Sequence, residues 1–321
     1  MVALKKTVQK YEVPELATPF AADALKGLKS TPKRIPPKYF YDAAGCTLFE
    51  QITDLPEYYL TRSELRILQD NAAAIAAYIP PGSALVEFGS GSSRKTRILL
   101  AAAPQLAAYV PVDICGQMLE EEAAGLRKEF PKLNVLPVTA DFTRPFDLPA
   151  SVPTARVGFF PGSTIGNFEP HEAATFLRNV GQILGRGATL IVGTDLQKDS
   201  RILNAAYNDA AGVTEAFNLN VLARINRELD GNFDLDSFEH HAFYNRERHR
   251  IEMHLASNKR QKVRVAGETI DFRAGETIHT ESSYKYSADS FNALARGSGW
   301  TPVASWSDPS RYFCVHALAF R

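Results

Sequence analysis

The stretch from Leu85 to Thr96, LVEFGSGSSRKT, constrains the fold more than any other part of the chain. An apolar run ends in an acid, Glu87, followed by Gly89, Gly91 and a short polar turn, and Arg94 to Ala103 then takes up helical spacing. A strand, a glycine turn and a helix in that order present backbone N–H groups and a positive helix end at the carboxyl edge of a parallel sheet. Glu87 at the strand tip opposes a pyrophosphate and suits a cationic or hydroxyl-rich group. Arg94 stands where a dinucleotide-binding turn has its third glycine. Together these features favour a nucleoside cofactor without phosphates, S-adenosylmethionine, over NAD.

The regular alternation that follows supports this reading. Thr61 to Ala77 is predicted helical and is stopped by Pro80, Pro81 and Gly82. After the first strand come a strand at Ala108 to Val112, a helix at Gly116 to Phe130, strands at Val135 to Thr139 and Val157 to Phe160, a helix at Pro170 to Leu184 and a strand at Thr189 to Val192. This is the pattern of a doubly wound α/β sheet. Two more acids fall at strand ends: Asp113, where an acid accepting ribose hydroxyls is expected, and Asp141, followed by Phe142, placed for an adenine amino group and ring.

Beyond Leu196 the pattern changes. Helical stretches at Ser200 to Asp209 and Val213 to Glu228 precede strand-like runs at Phe238 to Tyr244, Arg250 to Ala256, Gln261 to Val265 and Thr277 to Tyr286. Strands that follow one another without helices imply an antiparallel layer, a second α+β unit inserted into the first. Ala288 to Arg296 reads as a helix, and Thr301 to Trp306 and Tyr312 to Phe320 as strands returning to the main sheet. The lead-in carries prolines at 32, 36, 37 and 56 and the aromatics Tyr39, Phe40, Tyr41, Phe49, Tyr58 and Tyr59, so it is expected to fold as short pieces laid on another surface. The domain division is therefore 1–60 with 196–286 for the substrate and 61–195 with 287–321 for the cofactor.

Bulk properties narrow the class. Lys plus Arg and Asp plus Glu number 36 each, so no net charge draws the chain to nucleic acid or an anionic membrane. Cys46, Cys115 and Cys314 form no CxxC pair, which points to a reduced, cytoplasmic setting without a disulfide framework or zinc ribbon. No segment has the apolar core of a signal peptide or the ~18 apolar residues of a membrane span, so a soluble protein that is not exported is expected. His240 and His241 are adjacent, and His249, His254 and His279 lack metal-ligand spacing, so no metal is expected.

The loop FFPGSTIGNF, Phe159 to Phe168, lies where an acceptor meets the cofactor in such sheets. With PPKYFYDAAG, LPEYY, EFGSGSSRKT, GTDLQKD, AYND, FNLNVLARINRELD, RIEMHL and HTESSYKY, it resembles the histidine-specific methyltransferases of ergothioneine biosynthesis, from about Thr31 to the last strand. The resemblance implies a class I methyltransferase sheet of Rossmann type, acting as a monomer on L-histidine with S-adenosylmethionine as co-substrate. It places Gly89, Gly91, Lys95, Asp113, Asp141 and Phe142, beside Glu87, at the cofactor. It assigns the histidine carboxylate to Asn167 and Tyr207, and the imidazole to Glu281, Ser283 and Tyr58 with Met253 nearby. Tyr41 and Phe49 are expected to face the methylated ammonium, with Tyr41, Gly162 and Thr164 orienting the amine. The implied reaction is repeated attack of the neutral α-amine on the sulfonium methyl, giving hercynine. The competing readings are methylation of another amino acid on the same scaffold and a cofactor-binding partner without turnover.

Overall fold

The computed structural model describes residues 19–91, 93–114 and 116–321. The first part of the lead-in, Ser92 of the glycine turn and the thiol of Cys115 lie outside them. Cys46 and Cys314 are buried, unbridged thiols.

The lead-in folds as short pieces: α1 (Pro19–Leu28), β1 (Lys33–Arg34), a 3-10 turn at Pro37–Phe40 and α2 (Ala43–Asp54). The α2 helix begins where Asp42 accepts from the N–H of Gly45 at 2.7 Å. The single helix expected over Thr61 to Ala77 is two, α3 (Tyr59–Asp70) and α4 (Ala72–Ala76). They part at Asn71, whose side-chain amide donates to the Ile67 carbonyl at 2.9 Å and competes with the helical ladder.

The main unit then runs β2 (Ala84–Phe88), α5 (Arg94–Ala102), β3 (Ala108–Asp113), α6 (Gly116–Glu129), β4 (Asn134–Val135), β5 (Val138–Thr139), β6 (Arg156–Phe160), α7 (Pro170–Leu184) and β7 (Thr189–Asp195). The strand expected over Val135 to Thr139 is broken into β4 and β5. Leu136 and Ala140 donate to the carbonyls of Tyr109 and Asp113, so Pro111, lying between them, turns its missing donor toward the same gap that holds Pro137. Two prolines thus face each other where the ladder fails.

Two helices follow, α8 (Ser200–Ala206) and α9 (Val213–Glu228), then β8 (Phe238–Asn245), β9 (Arg250–Ser257), β10 (Gln261–Val265), β11 (Glu268–Phe272) and β12 (Thr277–Tyr284). The chain ends with α10 (Ala288–Gly297), β13 (Trp300–Ser307) and β14 (Phe313–Phe320). Strand β11 was absent from the sequence reading. Its hairpin with β10 turns on Ala266 and Gly267, both at positive φ (48° and 80°), the twist that a two-residue hairpin needs.

The large sheet has the order β13-β14-β7-β6-β2-β3-β4, with β5 also on β3. Strands β2 to β7 are parallel, and β14 and β13 close the edge antiparallel, so the expected return of the last strands to this sheet holds. A second sheet, β1-β12-β9-β8, is antiparallel except for β1. Alternate residues of β2, such as Leu85 against Val86, feed cores on opposite faces of the large sheet. The Leu85 core is continuous with Leu222, Met253 and Phe272, so one apolar mass joins the two sheets. Among the described residues no helix is long and apolar enough to cross a membrane.

Candidate active site

The carboxyl edge of the large sheet holds the glycine turn. Gly89 and Gly91 adopt φ of 78° and 47°, and a Cβ at Gly89 would lie 3.4 Å from the Phe142 ring. Phe142 therefore lies against the bare backbone of the turn, and it packs edge-on to Phe160 and Phe176. Asp113 ends β3, half-buried. Asp141 is penalised by burial, but hydrogen bonds from Thr143 and the Lys38 ammonium at 3.5 Å hold its carboxyl below the ordinary value. Glu87, expected to meet the ligand, is 1% exposed, and its Oε2 accepts from Thr96 at 2.6 Å and from the Tyr109 hydroxyl. Burial pushes this carboxyl up to about 8 against those hydrogen bonds. The structure thus places Glu87 as a brace under the turn, tying α5 to β3.

The acceptor loop follows β6. Gly162 has φ 78° and Ser163 φ 58°, a left-handed pair that turns the chain sharply. The Ser163 hydroxyl accepts from the Asp195 N–H at 2.8 Å, and Thr164 donates to the Pro161 carbonyl at 2.9 Å. A Cβ at Gly166 would fall 2.7 Å from the Tyr284 carbonyl, so the loop backbone presses directly on β12. Asn167 closes the 3-10 turn, half-buried.

Between α2, α9 and the second sheet opens a pocket lined by Phe49, Ile52, Tyr58, Ala206, Tyr207, Thr214, Phe217, Met253 and Glu281, with about 280 Å³ of empty space including its mouth. Aromatic edges meet around it: Tyr41 with Phe49 at 5.7 Å, Tyr41 with Phe217 at 5.8 Å and Tyr58 with Tyr207 at 6.3 Å. Met253 and Glu281 face each other across β9 and β12 in direct register, so both point the same way. Burial, followed by nearby acids and phenols, pushes Tyr41 and Tyr58 far above the usual phenol range, and they stay neutral.

Glu281 is the anomaly of this pocket. It is 8% exposed, and no side chain among the described residues hydrogen-bonds to its carboxyl group. Burial pushes it up to about 7, opposed by the Lys285 ammonium. Because its pKa is raised, its contribution to stability is full below the ordinary carboxyl value and is lost as the pH rises through about 7. Glu281→Gln, which never ionises, is therefore expected to gain in thermal midpoint over the parent protein as the pH goes from about 5 to about 8. A constant difference across that range in scanning calorimetry would contradict burial as the cause.

Behind the pocket lies a charged network that the sequence reading did not assign. Tyr207 donates to the Ser283 hydroxyl at 2.8 Å, and the Lys285 ammonium donates to both, at 3.0 and 2.7 Å. Lys285 also pairs with Asp195 at 2.9 Å, both side chains being fully buried. Asp195 further accepts from Tyr59 at 2.8 and 2.7 Å and binds Lys198, which burial pushes down to about 8 against that carboxylate. Ser283 thus keeps its own proton for a ligand while Tyr207 gives its single O–H to Ser283, and a cation lies one hydrogen bond behind both. His240 fixes the backbone beneath: its Nδ1 takes the Asn218 amide at 2.9 Å, so its Nε2 carries the proton donated to the Tyr207 carbonyl at 2.8 Å.

All of these residues except His240 sit inside motifs quoted above: Asp195 and Lys198 in GTDLQKD, Lys285 in TESSYKY, Tyr59 in PEYY. Those strings marked the neighbourhood but not the pairing.

Register also gathers Glu252, His254 and His279 on the opposite face of β9 and β12, their ligand atoms within 4.8 Å of one another. The sequence spacing gave no sign of this, because His254 and His279 meet only by strand pairing. Glu252 is already spent on Arg250 at 2.8 Å, Asn245 at 3.0 Å and His254 at 3.2 Å, and Arg250 continues to Glu169 at 2.6 Å. Arg250 thus joins Glu252 to Glu169 in an ion-pair network, beside which the buried His254 Nδ1 has no hydrogen-bond partner among the described residues.

Comparison with known proteins agrees with this geometry. Residues 20–320 match the family model described as "Histidine-specific methyltransferase, SAM-dependent". The "Histidine N-alpha-methyltransferase" of Mycolicibacterium smegmatis is 44% identical over 95% of this chain and 98% of its own length. The protein of the same name from Mycobacterium tuberculosis is 42% identical over 92% of this chain and 94% of its own. "Ergothioneine biosynthesis protein 1" of Neurospora crassa is 32% identical over 91% of this chain, which spans 34% of that relative. With its α/β sheet, its glycine turn and its acid-bearing pocket in place, the chain belongs to the histidine-specific, S-adenosylmethionine-dependent methyltransferases.

Proposed function

We propose that the chain transfers three methyl groups from S-adenosylmethionine to the α-amine of L-histidine, giving hercynine, the first step of ergothioneine biosynthesis. The observation that carries the choice of substrate is Glu281, a buried acid in an aromatic pocket with no side-chain hydrogen-bond donor among the described residues. Its carboxyl opens to the pocket rather than to a protein donor, and imidazole supplies it an N–H where an alkyl or thioether side chain does not.

The glycine turn fits the cofactor. Bare backbone at Gly89 and Gly91, the Phe142 ring against it, acids at Asp113 and Asp141 and the Lys95 ammonium offer a stacking face, hydroxyl acceptors and a cation. When bound, the sulfonium supplies an already activated methyl group, so the chain has to align rather than activate.

The acceptor side is read as follows. Asn167 and Tyr207 hold the carboxylate with neutral donors, Tyr207 turning its O–H from Ser283 toward it, which leaves the amine free to lose its proton. Glu281, Ser283 and Tyr58 hold the ring against Met253. Tyr41 and Phe49 turn aromatic surface toward the ammonium as it gains methyl groups, and Tyr41, Gly162 and Thr164 orient it. In this reading segments 1–60 and 196–286 form the substrate unit and 61–195 with 287–321 the cofactor unit. The single core that joins the two sheets supports a fixed spacing between them.

The test is to incubate the pure protein with S-adenosylmethionine and, separately, each common amino acid, and to read product mass. Three added methyl groups on histidine alone is the expected result. Methylation of a different amino acid would overturn the ring assignment, and no transfer to any would favour a binding protein.

A further inference from the structure

Glu64 links the two halves of the site. It stands on α3, fully buried, in a stretch whose sequence reads as an ordinary charged helix face. Its Oε2 receives the Lys95 ammonium at 2.6 Å and the Gly162 N–H at 2.8 Å. Its Oε1 is buried with no hydrogen-bond partner among the described residues. Room for that second oxygen comes from Gly193 in β7, where a Cβ would lie only 2.2 Å away.

The arrangement is poorly explained as a device for stability. A buried carboxylate with one oxygen unpaired costs more than an apolar side chain of the same size. What it does accomplish is to put one atom in contact with the first turn of α5 and with the acceptor loop at once. The two ends also touch: the Lys95 ammonium lies 3.5 Å from where a Cβ of Gly162 would be. Lys95 has three N–H groups, and Glu64 leaves others free to turn toward a ligand.

We propose that Glu64 is a positioning residue that couples occupancy of the cofactor turn to the shape of the acceptor loop. A ligand that fixes Lys95 fixes Oε2, and through it the Gly162 N–H. An amino acid that orders the Gly162 loop orders Lys95 in return. The inference rests on the reading above, in which Lys95 faces the cofactor and Gly162 the amine. Coupling of this kind is reciprocal, so each ligand raises the affinity of the other by the same factor.

Calorimetry tests it. Histidine is titrated into the full chain with and without S-adenosylhomocysteine, and S-adenosylhomocysteine with and without histidine. The parent protein is expected to show a coupling factor of about five or more in both directions. In Glu64→Gln, whose amide oxygen still accepts from Gly162 but which lacks the charge for Lys95, the factor is expected to fall toward one while each ligand still binds alone. A folded Glu64→Gln with the parent's coupling would overturn the proposal. If that variant does not fold, Lys95→Met, at a partly exposed position, breaks the same link from its other end, and retained coupling there would overturn it equally. Histidine binding that is independent of S-adenosylhomocysteine in the parent protein overturns the coupling alone. No histidine binding in either state overturns the substrate reading instead.

Discussion

Glu281→Met is expected to lower kcat/KM for L-histidine by about 10- to 150-fold, the equivalent of losing one hydrogen bond to a charged group at about 1.5–3 kcal/mol. The loss should fall mainly on KM, because a ring contact distant from the reacting amine holds ground state and transition state alike. The same substitution is expected to raise the thermal midpoint of the unliganded protein by a few degrees. It removes a buried carboxyl that has no side-chain donor among the described residues and puts an apolar chain beside Met253, its partner across the strands. Steady-state kinetics and thermal unfolding on one preparation check both halves. Lost activity with gained stability is the signature of a group kept for its ligand. Lost activity with lost stability would mean that Glu281 is a structural acid.

Lys285→Met should do the opposite to stability. Lys285 and Asp195 are a fully buried pair, and removing one partner of such a pair costs about 3–5 kcal/mol. Lys198 and Tyr59 still reach Asp195, which places the expected cost at the lower end. Histidine turnover should fall too, because Tyr207 and Ser283 lose their common donor and with it their fixed orientation. Lys198→Met is the control. It also breaks a pair with Asp195, but its other contacts are Tyr59 and the Leu196 carbonyl, away from the pocket hydroxyls. Equal effects on the KM for histidine in the two variants, measured beside their unfolding free energies, would remove Lys285 from the site and leave it in the core.

Much of the main sheet was legible because its strands are buried on both faces. ALVEF, AYVPVD and RVGFF are continuous apolar runs separated by helices, and physics offers few other arrangements for them. Helix α7 was located to the residue, since Glu169 and Glu172 form a capping box around Pro170. Strand β11 was missed because ETIDF is short and half polar, with only Ile270 and Phe272 turned into the core. The split of β4 from β5 depended on two prolines meeting across a ladder, which no single segment displays.

The site divides in the same way. Residues carried by local motifs, such as Asp141 with Phe142 or the GSTIGN loop, were found at the sheet edge where their order implied. The resemblance put Met253 near Glu281, but the register that makes the pairing, and the meeting of His254 with His279, were not legible. That Glu281 faces Met253 while His279 faces His254 follows from a bulge between His279 and Glu281, which changes the face on which the chain presents its side chains. Glu64 was invisible for a further reason. A glutamate at helical spacing reads as solvent-facing unless the glycine that makes room for it, Gly193, is known to lie opposite. Glu87 was read as an acid facing the ligand, and its partners Thr96 and Tyr109, which hold it under the turn, were not legible in the sequence.

The central claim is that Glu281 reads the imidazole. A crystal structure of the protein with S-adenosylhomocysteine and L-histidine tests it most directly. The account expects a ring nitrogen of histidine within about 2.6–3.2 Å of the Glu281 carboxylate, with the α-amine turned toward Gly162 and Thr164. A ring seated elsewhere, or a Glu281 carboxylate still without a donor in that complex, would contradict it.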